Sequence, residues 1–136
     1  MTLFVLDASA TLAWAIEDER HPRALETLTG LSGVDQARVP AVWWFEVRNA
    51  LVVNERRGRV SEADTAAFLR VLGKLPIVVD RSPDETALLT LARRHRLTVY
   101  DAAYLELARR EGLPLASLDV PLRGAATASG VPLFGA

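Results

Sequence analysis

Four acidic residues carry most of the chemistry that this chain offers: Asp7, Glu46, Asp101 and Asp119. They stand in Leu3-Phe4-Val5-Leu6-Asp7-Ala8-Ser9, Trp43-Trp44-Phe45-Glu46-Val47, Val99-Tyr100-Asp101-Ala102-Ala103-Tyr104 and Leu115-Ala116-Ser117-Leu118-Asp119. In each, an apolar stretch runs out or a helix begins. A carboxylate among apolar neighbours is costly to bury alone. Four such settings point to one shared site, and the natural partner of a carboxylate cluster is a hard divalent cation. Two like charges ~4 Å apart repel by ~4 kcal/mol at an effective dielectric of about 20. Four carboxylates in one pocket therefore take up protons, open the structure, or meet Mg²⁺ or Mn²⁺. Mg²⁺ keeps several waters and takes one or two carboxylates directly, so some of the four are expected to hold coordinated water instead.

The elements that must position these acids follow from the apolar pattern. Leu3 to Leu6 is a continuous apolar run, as expected of a strand buried on both faces of a parallel sheet. Ser9 is placed to cap a helix running to about Ile16. Glu17 to Arg20 reads as a loop, and Pro22 opens a helix carrying Ala24, Leu25, Leu28 and Leu31. Ala37 to Val39 is a weak second strand closed by Pro40. A helix follows from Trp43 to about Arg57, stopped by Gly58. Ser61 opens another helix, with Asp64 in its first turn, ending near Lys74; Ile77 to Val79 is a third strand ending at Asp80. Ser82-Pro83-Asp84-Glu85 reads as a helix start with Ser82 as the cap, and that helix ends near His95. Tyr100 to Glu111 is helical, Pro114 to Leu118 a fourth strand, Leu122 to Ala128 a short helix, and Val131 to Phe134 a short edge strand.

Short apolar strands alternating with amphipathic helices imply an α/β domain with a mostly parallel sheet. In such sheets ligands bind beyond the carboxyl ends of the strands. Asp7 and Asp119 directly follow strands, and Glu46 and Asp101 lie near helix starts, so all four are expected at that edge. They face each other only if the first and fourth strands are neighbours. Each acid also has a purely structural reading: Asp7, Asp101 and Asp119 as helix caps, and Glu46 as the ion-pair partner of Arg48 or Arg57. Asp80 also ends a strand, but the capping sequence after it marks it as structural.

Composition bounds the alternatives. The 136 residues suit one domain, half of them hydrophobic, with a formal net charge of −1. There is no cysteine, which excludes disulfides, zinc–thiolate sites and thiol nucleophiles and fits a reducing cytosol. The N-terminus lacks the pattern of a signal peptide, and no uncharged apolar run approaches the ~20 residues needed to span a bilayer. All basic residues but Lys74 are arginines, clustered at Arg56-Arg57-Gly58-Arg59, Arg93-Arg94-His95-Arg96 and Arg109-Arg110. Each cluster falls in the last turn of an expected helix, where cations complement the dipole, and forked guanidinium groups also suit phosphate. His21 and His95 are near no serine motif, so no catalytic triad is expected. Trp43-Trp44-Phe45 reads either as core or as an apolar groove wall that holds a partner peptide or stacks a base.

Taken in order, Val5-Leu6-Asp7-Ala8-Ser9, Glu46-Val47-Arg48-Asn49-Ala50-Leu51, Tyr100-Asp101-Ala102-Ala103-Tyr104-Leu105 and Leu115-Ala116-Ser117-Leu118-Asp119 resemble the PIN-domain nucleases. The resemblance is nearest to the VapC-type toxins of toxin–antitoxin pairs and covers essentially the whole chain, residues 1–136, as one domain. It implies a three-layer α/β/α fold with strand order 3-2-1-4-5. It also implies a Mg²⁺-dependent ribonuclease site at Asp7, Glu46, Asp101 and Asp119. Ser9 falls on the family's hydroxyl position, where it would orient Asp7 or a metal-bound water. Asn49 matches a polar position near the site, and Arg48 and Arg123, nearest the acids in sequence, are candidate RNA contacts. Pro121 and Leu122-Arg123-Gly124 depart from the family's usual polar stretch after the last acid, which bears on a second metal ion. A small VapB-type antitoxin, a homodimer and a cytoplasmic setting are further implications. Water as the nucleophile would leave a 5′-phosphate and a 3′-hydroxyl. The main alternative on the same fold is an RNA- or protein-binding module with little or no cleavage. A DNA-directed nuclease is another. A phosphoacceptor receiver would need paired acids after the first strand, and a haloacid-dehalogenase-type phosphatase a second aspartate where Ser9 stands.

Overall fold

The computed structural model describes residues 2–16, 27, 29–31 and 33–134. The loop expected at Glu17 to Arg20, and Pro22, Ala24, Leu25 and Leu28 of the helix expected after it, lie outside the described residues. So does His21.

Four strands form one parallel sheet in the order β3-β2-β1-β4. They are β1 (Leu3–Leu6), β2 (Gln36–Pro40), β3 (Ile77–Asp80) and β4 (Leu115–Ala116). β1 is central, which is why its side chains are apolar on both faces: Phe4, Val5 and Leu6 are wholly buried. Its register runs Phe4 to Ala37 on one side and Leu6 to Ala116 on the other. β1 and β4 are thus neighbours, the condition on which the meeting of Asp7 with Asp119 depends.

The expected fifth strand is not formed among the described residues. Leu133 makes a single parallel bridge to Leu115, flanked by hydrogen bonds from Leu115 N to Pro132 O and from Phe134 N to Leu115 O, both 2.9 Å. Pro132 has no N–H to continue a ladder. Stacking of Phe134 on Phe4, ring centroids 4.2 Å apart, holds the segment in the fifth position all the same. β4 is likewise two residues long rather than the five expected, because beyond Ala116 the chain turns into a network of side-chain hydrogen bonds around Asp7.

The helices whose bounds lie among the described residues are α1 (Ala8–Ala15), α2 (Val42–Arg56), α3 (Glu62–Leu72), α4 (Glu85–His95), α5 (Val99–Glu111) and α6 (Val120–Ala128); Thr27, Thr29, Gly30 and Leu31 are helical as well. Helices on both faces of the sheet make the three-layer α/β/α class. α5 crosses β1, β2 and β4 and buries Ala102, Leu105 and Leu107, while α4 packs on α5 and α1 on α2. Each large apolar side chain buried here contributes about 1.5–3 kcal/mol.

Two of the expected caps are corrected. α1 is capped by Asp7, not Ser9: Asp7 accepts from Ala10 N at 2.9 Å, and Ser9 lies inside the first turn. α4 is capped by Asp84, which accepts from Ala87 N, not by Ser82. The Ser82 amide instead favours the charged form of Asp80. α3 has the reciprocal Ser61–Asp64 capping box, and α2 ends at Gly58, whose φ of +71° suits glycine. No helix among the described residues is long and apolar enough to cross a membrane.

Candidate functional site

The carboxyl edge of the sheet gathers the acids from four separate elements. Asp7 ends β1 and caps α1; Asp119 follows β4 and caps α6, accepting from Leu122 N at 3.0 Å. Pro121 is in the first turn of α6, where a missing N–H costs nothing. Glu46 lies in the first turns of α2. Asp101 lies in the first turn of α5, a helix capped by Thr98 rather than by Asp101.

Asp7 is the buried centre, 3% exposed. Its oxygens receive four hydrogen bonds: Ala10 N, the Ser9 hydroxyl to both oxygens at 2.7 and 2.9 Å, and the Ser117 hydroxyl. Even so, burial dominates and pushes its carboxyl up to about 6; those donors pull it back, and the Asp119 charge adds to the rise. Ser9 also accepts from Leu118 N at 2.9 Å, and Ser117 from Asp119 N at 3.0 Å. Two serines therefore tie the β1–α1 turn to the β4–α6 turn. Thr11 extends the tie by donating to the Asp7 carbonyl at 2.8 Å and accepting from Trp43 Nε1 at 3.0 Å.

The other acids respond to one another. Burial first, then the Asp101 charge, raises Glu46, against a hydrogen bond from Tyr104; burial first, then the Asp119 charge, raises Asp101. Glu46 is thus partnered by Tyr104 at 2.5 Å rather than by Arg48 or Arg57. The couplings run Asp7–Asp119–Asp101–Glu46, a continuous acidic rim. Among the described residues, no three histidine, aspartate or glutamate side chains converge into a ready-made metal cage. The donor set is oxygen only, and in Asp7, Glu46 and Asp101 burial first, then a neighbouring acid, disfavours the charged form. It fits an open site, where a hard cation takes one or two carboxylates and keeps its waters.

The remaining candidates are placed differently. Arg48 stacks over the Trp44 ring, 4.0 Å to the centroid, and donates to the Trp44 carbonyl. Asn49 is exposed on α2. Arg123 is turned inward, its Nη1 donating to the Ser117 carbonyl at 2.9 Å, so it braces the β4–α6 turn. Asp80 lies outside the acidic rim, ion-paired at 2.7 Å with Arg110, which also holds buried Glu106 at 2.8 Å. His95 pairs with Ser129. The Trp43-Trp44-Phe45 run divides: Trp43 is core, whereas Trp44 and Phe45 are 48% and 68% exposed. The latter two line a cleft of about 410 Å³ with Ala41, Val79 and Arg81. Sequence reasoning missed Ser117 and Tyr104. Ser117 had a signal, a hydroxyl two residues before an acid; Tyr104 had only its place one turn after Asp101.

Comparison with known proteins identifies the family and the fold. The PIN domain family matches residues 4–126. Ribonuclease VapC3 of Pyrobaculum aerophilum is 32% identical over 121 residues, covering 85% of this chain and 88% of that protein. The crystal structure of PAE2754 from Pyrobaculum aerophilum is similar with a TM-score of 0.71 at 25% identity, over 91% of this chain and 84% of that one. FitAcB from Neisseria gonorrhoeae, at 18% identity and a TM-score of 0.54 over 97% and 96% of the two chains, shares the fold.

Proposed function

The chain belongs to the PIN-domain family, and from that membership we propose that it is the toxin of a type II toxin–antitoxin pair. In this reading residues 1–136 act as one domain, a Mg²⁺-dependent endoribonuclease that hydrolyses RNA phosphodiester bonds. The observation that carries the reading is that Asp7, Glu46, Asp101 and Asp119 come to one edge of the sheet as neighbours in the pairs Asp7–Asp119, Asp119–Asp101 and Asp101–Glu46. It stands on a chain 32% identical to a protein named ribonuclease VapC3.

These four acids would hold the ion, with Mn²⁺ able to substitute. When bound, the metal supplies Lewis acidity and lowers the pKa of a coordinated water. The chain's own residues do the rest. Ser9 and Ser117 fix both oxygens of Asp7, so its carboxylate cannot rotate. Asp119, tied by its backbone to Ser117 and by its side chain to α6, is held across from Asp7. Arg48 and Asn49, on the helix that carries Glu46, are positioned to meet the RNA backbone, while Arg123 acts through Ser117 rather than on RNA. Hydrolysis by water leaves a 5′-phosphate and a 3′-hydroxyl. The exposed Trp44–Phe45 surface is the proposed seat of a VapB-type antitoxin segment. A homodimer working in the cytoplasm completes the reading.

A second reading, a PIN-like RNA- or protein-binding module with little or no cleavage, draws on the lack of a tight three-acid group among the described residues. One assay separates the two. Purified protein, shown free of antitoxin, is incubated with total cellular RNA in Mg²⁺, Mn²⁺ or EDTA, alongside Asp101→Asn. Discrete metal-dependent fragments that vanish in the variant are expected. Identical patterns for both proteins leave the binding module.

A further inference from the structure

We propose that Tyr104 is a positioning residue of the acidic site, its hydroxyl fixing the Glu46 carboxylate so that one oxygen is committed and the other is presented to the rim. The inference rests on the reading of Glu46 as a member of the site.

Tyr104 is 1% exposed, and its ring lies in the hydrophobic core. Packing alone would be served by phenylalanine, and a hydroxyl carried into a core costs free energy unless it is hydrogen-bonded. Its bond goes to Glu46 Oε1 at 2.5 Å, across 58 residues of sequence and from α5 to α2. The direction is fixed by chemistry: the phenol has a hydrogen to give, and an ionised carboxylate only accepts. Burial, then the bond to Glu46, then the charges of Glu46 and Asp7, push the phenol far above its ordinary range. The backbone of Ala8, the residue after Asp7, also hydrogen-bonds this hydroxyl, which sets it beside the turn that carries Asp7 as well as against Glu46.

The geometry also ties two acids together. Tyr104 follows Asp101 by three residues on α5, so both project from one face of that helix. A ring locked in the core cannot swing, so Tyr104 transmits the position of α5, and with it Asp101, to a glutamate on another helix. Without the bond, Glu46 is a half-buried side chain with three free torsions. Tyr100, on the other side of Asp101, is 61% exposed and has no such reach. The two tyrosines that bracket Asp101 thus do different work.

Mn²⁺ binding, followed by electron paramagnetic resonance and calorimetry, tests this in wild type, Tyr104→Phe, Glu46→Gln and the double variant. Outer groups that orient a metal site typically alter affinity 10–100-fold. We expect Tyr104→Phe to weaken Mn²⁺ binding about tenfold, Glu46→Gln to weaken it at least as much, and the double variant to match Glu46→Gln. Equal binding by wild type and Tyr104→Phe, or losses that multiply in the double variant, would overturn the inference. If Tyr104→Phe does not fold, 4-fluorophenylalanine at position 104, which fills the space of the hydroxyl without a donor, replaces it, and the comparison of Glu46→Gln with that double variant decides. Equal affinities support action through Glu46, and a further loss refutes it. A wild type that binds no Mn²⁺, or a Glu46→Gln variant that binds like wild type, removes the proposed site and this inference with it. Normal loss in Glu46→Gln with none in Tyr104→Phe removes the inference alone.

Discussion

Ser117 at the end of β4 donates its hydroxyl to Asp7 at the end of β1, closing a contact between residues 110 apart in sequence. The same oxygen accepts the Asp119 amide, so one serine serves two acids. Ser117→Ala should therefore raise the Asp7 carboxyl further above about 6. The acid limb of the pH–rate profile for RNA cleavage should move to higher pH, with a larger loss at pH 6 than at pH 8. Denaturation at neutral pH should show a loss of about 1–3 kcal/mol from the orphaned partners. An unmoved acid limb would sink this account of Ser117.

Asp7 makes stability depend on pH with a definite sign. Its carboxyl is raised from 3.8 to about 6, so the folded state holds the proton more tightly than the unfolded chain. The stability this contributes is complete below about pH 4 and is lost as pH rises through 6, a cost of about 3 kcal/mol at neutral pH. Thermal melts of the metal-free protein should record that decline. Asp7→Asn should flatten it while abolishing cleavage, and a variant that keeps the wild-type slope between pH 4 and 6 would exclude Asp7 as its source.

Divalent cations should reverse the same cost. At about a hundred times the dissociation constant, a ligand bound only by the folded state adds about 2.7 kcal/mol. We expect Mg²⁺ or Mn²⁺ to raise the melting temperature at pH 7, EDTA to restore the lower value, and the gain to shrink at pH 5 as Asp7 takes up its proton. Equal gains at both pH values would mean that the ion sits elsewhere.

Arg110 is predicted to matter for stability and not for chemistry. It neutralises Asp80 and buried Glu106, and it joins the end of β3 to α5. Removing one partner of a buried pair typically costs 3–5 kcal/mol, and the partial exposure of Arg110 lowers this to about 2–4 kcal/mol. Chemical denaturation of Arg110→Ala measures it. Cleavage per folded molecule should stay within about twofold of wild type, since a change of under 0.5 kcal/mol is expected at the acids.

The exposed Trp44 and Phe45 should behave in the opposite way. Trp44→Ala with Phe45→Ala should leave stability within about 0.5 kcal/mol per site, as for surface positions. The affinity for the cognate antitoxin should fall more than tenfold, because aromatic anchors carry most of such binding energy. Undiminished affinity would place the antitoxin on another surface.

The fold class and the edge where the acids meet were legible because they depend on local pattern. An apolar run followed by Asp7, and a second followed by Asp119, put both at the ends of parallel strands whichever partners those strands took. The caps were less legible. Ser9 and Asp7 compete for one helix start, as do Ser82 and Asp84. At the first, the Ser9 hydroxyl is taken by Asp7 and by the tertiary bond from Leu118 N; at the second, Asp84 takes the Ala87 amide. Tyr104 was not legible as a site residue, since its partner lies 58 residues away and nothing local marks the meeting; Ser117 carried the local signal of a hydroxyl two residues before Asp119, but its partner lies 110 residues away. Among the described residues the fifth strand is reduced to the one bridge at Leu133, beside Pro132, which has no donor to extend it.

The pairing of β1 with β4 sets a schedule as well as a shape. Asp7 and Ser117, which completes its surroundings, lie 110 residues apart, so they meet only once the chain between them has been made. Until then Asp7 lacks the hydroxyl of Ser117, and Ser9 lacks the Leu118 amide. Contacts between residues so far apart in sequence form slowly, so the acid site is completed late in folding, a delay written into the order of its strands.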